Sequence, residues 1–174
     1  MSVQRMQFIA TAEEWHSEAG AFIKESSFDA AHRAIDKAIT LGNRYELPNR
    51  WMYLHCKGCI FEQEDDRVRA VSFYEQSVRA AVDSFGRRDP VTEAVTHMLA
   101  CLHFRFEEFS NALQLTQAEP GAPARNYCLR ALCFGALNEP TLAGEAAAQT
   151  LHACTNSRQR ATFRAQLGSL AHVV

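Results

Sequence analysis

Apolar residues recur at spacings of three and four along most of the chain, as they do on one face of an amphipathic helix. Trp15 and Phe22 carry this pattern first, and Ile35 and Ile39 continue it after a polar break at Ser26. No segment of the sequence shows the sustained alternation of apolar and polar residues that a half-buried strand requires. The sequence therefore predicts an all-α fold.

Residues that start and stop helices divide this pattern into four pairs of helices. Thr11 and Glu14 have the spacing of a capping box, so the first helix is predicted to start at Thr11. Gly42 is predicted to end the second helix, because glycine readily adopts the left-handed conformation of a helix cap. The predicted pairs span residues 11–42, 48–86, 89–118 and 121–153.

Capping residues also predict boundaries farther along the chain. Asp66 is expected to cap the helix that Gly86 ends, and Asp89-Pro90 is expected to open the next one. A last, single helix is predicted at residues 157–172, and a helix with one apolar stripe suits the end of a stacked array. Its stripe consists of Phe163, Leu167 and Leu170.

Small residues recur in the helices, each followed by a second small residue twelve positions later. A small side chain at both places allows the two helices of a hairpin to approach closely. This spacing is the internal signature of a helix-pair repeat. The four pairs are Ala19 and Ala31, Gly58 and Ala70, Ala100 and Ala112, and Ala131 and Ala143.

Length, net charge and the distribution of apolar residues predict the number of domains and exclude some kinds of partner. At 174 residues and 47% hydrophobic content, residues 1–174 are predicted to form one domain. The 18 basic and 20 acidic residues give a net charge of -2, which disfavours nucleic acid as a partner. The longest charge-free run, residues 146–157, is much shorter than the roughly 20 apolar residues of a membrane-spanning helix. With no signal-peptide pattern at the N-terminus, a cytoplasmic protein without a membrane partner is predicted.

The first and third pairs resemble the tetratricopeptide repeat (TPR), whose pattern is Trp-x2-Leu-Gly-x2-Tyr followed by Ala-x3-Phe. The stretch from Ala70 to Ala112 is similar to the 42-residue variety found in kinesin light chains. The resemblance implies a TPR-like α-solenoid of about four helical hairpins plus a C-terminal capping helix. It is carried by Trp15, Ala19, Phe22, Ala31, Ile35 and Ala38 in the first pair, and by Leu99, Ala100, Phe109 and Ala112 in the third.

In such repeats the first helix of each pair lines a concave groove. The resemblance implies that the exposed groove positions lie three residues before and one residue after the small residue of that helix. Two residues just beyond these positions in the third pair, Phe104 and Arg105, are further candidates, with a core position as the alternative for Phe104. The groove positions are His16, Gly20, His55, Cys59, His97, Cys101, Cys128 and Leu132.

His55 and Cys59, like His97 and Cys101, lie one helical turn apart, which makes zinc binding or a thiol nucleophile conceivable. Adjacent first helices are about 10 Å apart, so four ligands would have to converge across that distance on one ion. The sequence also lacks an obvious Gly-rich turn for an oxyanion. No metal, cofactor or catalytic residue is therefore predicted, and the six cysteines are expected to be reduced thiols.

The predicted function is a non-enzymatic protein–protein interaction module, or adaptor, that binds a peptide or helix of another protein in its groove. Protonation of His16, His55 and His97 is expected to make this binding depend on pH. The alternatives are a small TPR chaperone of a bacterial secretion system, a structural subunit of a larger assembly, and a metal-binding or thiol enzyme. The acidic turn at residues 62–66 is predicted to be a solvated loop, with a site for basic peptides as the alternative.

Overall fold

The computed structural model describes residues 3–116 and 122–168. These residues form nine α-helices and no β-strand, which confirms the all-α prediction. The helices are α1 (Val3–Lys24), α2 (Phe28–Arg44), α3 (Arg50–Gln63), α4 (Arg67–Phe85), α5 (Pro90–Arg105), α6 (Phe109–Leu115), α7 (Ala124–Ala136), α8 (Pro140–His152) and α9 (Ser157–Leu167).

The chain divides between Thr96 and His97, within α5, into two compact units. In the first unit, α1 packs on α2, α3 packs on α4, and α2 also packs on α3. In the second unit, α7 packs on α6 and α8, and α9 packs on both α7 and α8. The assignment of residues 1–174 to a single domain stays a prediction.

The eight paired small residues are all buried, as close approach of the helices requires. Gly58 shows the tightest fit: a Cβ atom added there would lie 2.5 Å from Cδ2 of the Tyr74 ring and 3.4 Å from the carbonyl oxygen of Ala70. Helix α3 therefore rests directly on α4 at Gly58, and the missing side chain makes room for Tyr74.

Two predicted helix boundaries of the first pair are wrong. Helix α1 starts at Val3, so Thr11 lies inside it and caps nothing. The extra turns are stabilised by tertiary contacts: the Phe8 and Tyr45 rings stack at 3.9 Å, and Arg5 donates to the carbonyl oxygen of Glu46. Helix α2 continues through Gly42 to Arg44.

Gly42 is buried in the helix instead of ending it. A Cβ atom at this position would lie 3.2 Å from both Cβ of Arg50 and Cδ2 of Tyr53, so glycine allows α2 and α3 to approach. The left-handed residue that follows α2 is Glu46, with a φ of 47°. Gly42 therefore allows two helices to pack closely and does not end the helix that contains it.

Three other boundaries are confirmed. The Asp66 side chain accepts from the backbone N–H of Arg69 and caps α4. Gly86, with a φ of 91°, ends that helix. Asp89 accepts from the N–H of Val91 at the start of α5.

Carboxylates of the acidic turn at residues 62–66 form hydrogen bonds with other residues of the protein. Besides Asp66, Glu62 accepts from the Tyr74 hydroxyl and Glu64 lies 2.9 Å from His32 Nε2. Several predictions lie outside the described residues: the pair boundaries at residues 118 and 121, and Leu170. The predicted end of the capping helix at residue 172 is wrong, because α9 ends at Leu167, where Gly168 follows with a φ of 52°. No helix within residues 3–116 or 122–168 combines the length and apolar character needed to cross a membrane.

Candidate partner-binding faces

Four of the candidate residues lie on α1 and α3 of the first unit and are half-buried. His16 and Gly20 belong to α1, and His55 and Cys59 belong to α3. Each pair is separated by one helical turn, so its two residues lie on the same side of their helix. We refer to His16, Gly20, His55 and Cys59 as the α1/α3 face.

Aromatic side chains support both histidines. The His16 ring lies 5.7 Å from the ring of Tyr53, which is fully buried in α3. The His55 ring contacts the Tyr74 ring edge-on at 4.7 Å. These contacts fix the positions of the imidazoles, and both tyrosines were missed in the sequence because they lie outside the predicted groove positions.

A row of polar atoms leads from His55 to the acidic turn. The Cys59 sulfur lies 3.6 Å from His55 Nε2 and 3.2 Å from the Tyr74 hydroxyl oxygen, and that hydroxyl donates to Glu62 at 2.9 Å. Tyr74 is the same ring that occupies the space above Gly58. The close approach of α3 and α4 therefore also positions His55 and Cys59.

Gly20 leaves an open place beside the histidines. Apart from the neighbouring residues and backbone of α1 itself, an added Cβ atom at Gly20 would have no atom within 4 Å, in contrast to Gly58. A ligand could therefore approach the α1 backbone closely at this point.

Burial makes the two imidazoles harder to protonate. It lowers the pKa of His16 below 6.5, against an opposing effect of the nearby Glu13 carboxylate. Burial also lowers the pKa of His55, and the nearby His16 lowers it further. His55 and His16 are thus close enough for the charge on one to disfavour the charge on the other.

The second unit holds a similar pair on α5. The Cys101 sulfur lies 3.5 Å from His97 Nε2, and both residues are half-buried. Burial lowers the pKa of His97, Arg125 lowers it further, and the nearby Asn126 side chain acts in the opposite direction. The sequence did not predict Arg125 and Asn126, in the first turn of α7, because the predicted groove positions of that helix are Cys128 and Leu132.

Helix α9 covers part of the predicted surface of α7. Cys128 is only 3% exposed, so its prediction as an exposed groove residue is wrong. Its thiol donates to Oε1 of Gln166 in α9 at 3.6 Å, and Leu132 packs in the same cluster as Phe163. Cys128 is buried because the capping helix, α9, packs on the side of α7 that carries it.

The two remaining candidates differ from each other. The Phe104 ring lies 5.6 Å from the Phe109 ring and packs against the cluster that contains Ala100 and Ala112, so the structure favours the core alternative for this residue. Arg105, the last residue of α5, is exposed.

The described residues contain no group of three or more His, Cys, Asp or Glu side chains that could hold a metal ion. All six cysteines lie in the described ranges and are present as thiols. Burial raises the pKa of Cys101 and raises that of Cys128 to about 11, which keeps these thiols protonated near neutral pH. The arrangement therefore favours contact with a partner over thiol chemistry at these positions.

Paired antiparallel helices with small residues at their contacts define a helical-repeat fold. No protein-family profile matches the sequence, and no curated protein matches it. Solved structures do match, and they are TPR-like. The kinesin light chain TPR-like repeats of Podosopora anserina are 16% identical, with a TM-score of 0.69 over 92% of this chain and 85% of that one.

Two further structures show the same similarity. BtubC (BKLC) from P. vanneervenii is 14% identical, with a TM-score of 0.69 over 98% of this chain and 82% of that one. PilF from Pseudomonas aeruginosa is 17% identical, with a TM-score of 0.55 over 89% of this chain and 66% of that one. The chain therefore has a TPR-like fold, which confirms the resemblance predicted from its sequence.

Proposed function

We propose that this chain is a non-enzymatic, cytoplasmic adaptor, and that its α1/α3 face binds an extended segment or a helix of a partner protein. The observation that supports this most directly is the combination of half-buried imidazoles with an open glycine position on one face. Such a face offers apolar area, hydrogen-bonding groups and room for a backbone, which are the requirements for binding a peptide.

His16 and His55 would recognise the partner as neutral imidazoles. Their lowered pKa values favour the uncharged form, which can both donate and accept a hydrogen bond. Gly20 would allow the partner's main chain to approach α1. In the second unit, His97 and Cys101 form the corresponding candidate surface on α5.

The proposal is tested by blocking the face. Peptides that bind the wild-type protein are selected from a displayed random library, and their affinities are measured by fluorescence anisotropy. Gly20→Trp places an indole in open space on the face, so we expect it to weaken these peptides by about tenfold or more.

Ala21→Trp is the matched control, because Ala21 is the neighbouring residue of α1 and is exposed on another side of the helix. It should leave the affinities unchanged. Equal losses in the two variants, or retention of binding by Gly20→Trp, would show that the peptides bind elsewhere.

A further inference from the structure

Helix α9 carries three arginines and no acidic residue. Arg158, Arg160 and Arg164 are all exposed, and the sequence contains no Asp or Glu after Glu145. Within the described part of the chain, none of the three forms an ion pair. Arg160 and Arg164 are four residues apart and lie on the same side of the helix, whereas Arg158 lies on another side. We refer to Arg160 and Arg164 as the α9 arginine face.

Two arginines of the first unit have close acidic partners. Arg50 in α3 pairs with Asp83 at 2.8 Å, and Arg69 pairs with Asp66 in the first turn of α4. These contacts place opposite charges beside each other on the surface of the first unit. The α9 arginine face has no such compensation from its own helix, so it leaves a local excess of positive charge.

A shallow depression of about 300 Å³ lies at the start of this helix. It is lined by Thr155, Asn156 and Ser157 before and at the N-terminus of α9, and by Arg160 and Arg164 one and two turns on. The partial positive charge of the helix N-terminus adds to that of the two guanidinium groups. The depression is thus surrounded by groups that favour an anion.

We propose that the α9 arginine face is a second binding surface, whose partner is an acidic protein segment in an extended conformation. Arg160 and Arg164 are four residues apart, which puts their Cβ atoms about 6 Å from each other. In an extended peptide, alternate residues on one side are about 6.6 Å apart. Carboxylates at alternate positions would therefore match the two guanidinium groups.

A peptide suits this surface better than a nucleic acid. Three arginines would neutralise few phosphates, so little of the counterion release that drives nucleic-acid binding would be available. Arginine also accepts a carboxylate through two parallel hydrogen bonds, which gives a short acidic segment both affinity and register.

The test uses the full-length protein and a fluorescent Gly/Ser peptide that contains the sequence Asp-x-Asp. A peptide of the same composition with adjacent aspartates is the first control, and a short RNA and an anionic vesicle are further probes. Arg160→Glu/Arg164→Glu is expected to weaken the Asp-x-Asp peptide by about tenfold or more. Arg87→Glu/Arg88→Glu makes the same change in net charge on exposed residues outside α9 and should have less than about a twofold effect.

Arg160→Gln/Arg164→Gln provides a milder variant, and circular dichroism checks that each variant is folded. Equal losses in the α9 variant and the Arg87 and Arg88 variant would overturn the proposal, since binding would then follow net charge alone. Equal affinity for both peptides, or binding of only the RNA or the vesicle, would also overturn it. Gly20→Trp should bind the acidic peptide normally, so this result is separate from the test of the α1/α3 face.

Discussion

Gly20 lies in α1 and Gly58 lies in α3, and an added methyl group would have very different surroundings at the two positions. At Gly58 it would overlap the Tyr74 ring, whereas at Gly20 it would meet nothing outside α1 within 4 Å. Gly58→Ala is therefore expected to lower the free energy of unfolding by about 1–3 kcal/mol, the usual cost of overpacking. Gly20→Ala should raise it by about 0.5–1 kcal/mol, because alanine favours the helix.

Urea denaturation monitored by circular dichroism measures both changes. The two variants add the same methyl group to a helical glycine, so each serves as the control for the other. If both were stabilised, Tyr74 would be free to move away, and the close contact between α3 and α4 would not depend on glycine.

The histidines of the α1/α3 face predict a pH dependence of stability. Their pKa values are lowered in the folded state, so below about pH 6.5 the unfolded chain binds protons that the folded chain does not. The free energy of unfolding should therefore fall as the pH drops from about 7.5 to about 5.5, and the loss should level off below the folded pKa values.

Denaturation at several pH values tests this. His16→Asn/His55→Asn should show a shallower fall than the wild-type protein over this range. His152→Asn, which changes an exposed histidine at the end of α8, is the control and should retain the wild-type slope. A steep fall in the double variant would assign the acid sensitivity to other groups.

At the scale of helices, one ion pair links α2 to α3. Lys57 is only 7% exposed and its Nζ lies 2.8 Å from Oδ1 of Asp36 and 2.9 Å from Oδ2, while the Asp36 side chain is 58% exposed. Asp36→Ala would leave a buried ammonium without its partner, which should cost about 1–3 kcal/mol. Lys57→Met keeps the apolar stem and leaves a carboxylate that water can solvate, so it should be nearly neutral.

The comparison is made by urea denaturation of both variants and the wild-type protein. The difference between the two losses of stability is the informative result, because both substitutions remove the same ion pair. Equal losses would mean that the attraction between Lys57 and Asp36 dominates, rather than the burial of the lysine.

The helices show which structural features the sequence could predict. Small-residue spacing correctly predicted the close contacts, since only small side chains permit them. The start of α1 and the role of Gly42 were mispredicted, because both depend on residues distant in sequence: Tyr45 stacks on the start of α1, and Tyr53 packs against Gly42. Local signals describe caps, but they cannot include such contacts.

The candidate faces illustrate the same limit. Positions three before and one after a small residue lie within about 40° of each other around a helix, so their shared side follows from helical geometry alone. The burial of Cys128 does not, because it depends on where α9 packs. The glycine at position 58, where the other pairs have alanine, was a signal that could have pointed to a bulky neighbour such as Tyr74.

At the scale of the whole molecule, the chain offers two candidate surfaces of different chemistry. The α1/α3 face combines imidazoles of lowered pKa with open space at Gly20, and the α9 arginine face carries permanent charge. An adaptor with two such surfaces could hold two different segments, and their responses to solution conditions should separate them.

Peptide binding at the α9 arginine face should be the more sensitive to salt, and peptide binding at the α1/α3 face should be the more sensitive to acid. Raising the salt concentration from about 0.1 M to about 1 M shortens the screening length from about 10 Å to about 3 Å, so binding of the acidic peptide should weaken by about tenfold or more. Peptides selected on the α1/α3 face should change by less than about threefold, since neutral imidazoles and apolar contacts are hardly screened.

Lowering the pH through the lowered pKa values of His16 and His55 should reverse the order of sensitivity, because these histidines gain charge there while arginines stay charged. Fluorescence anisotropy with both peptides on one protein sample measures the four combinations. Parallel responses of the two peptides to salt and to acid would indicate one shared surface. Opposite responses, together with the separate losses in Gly20→Trp and in Arg160→Glu/Arg164→Glu, would assign each peptide to its own helices.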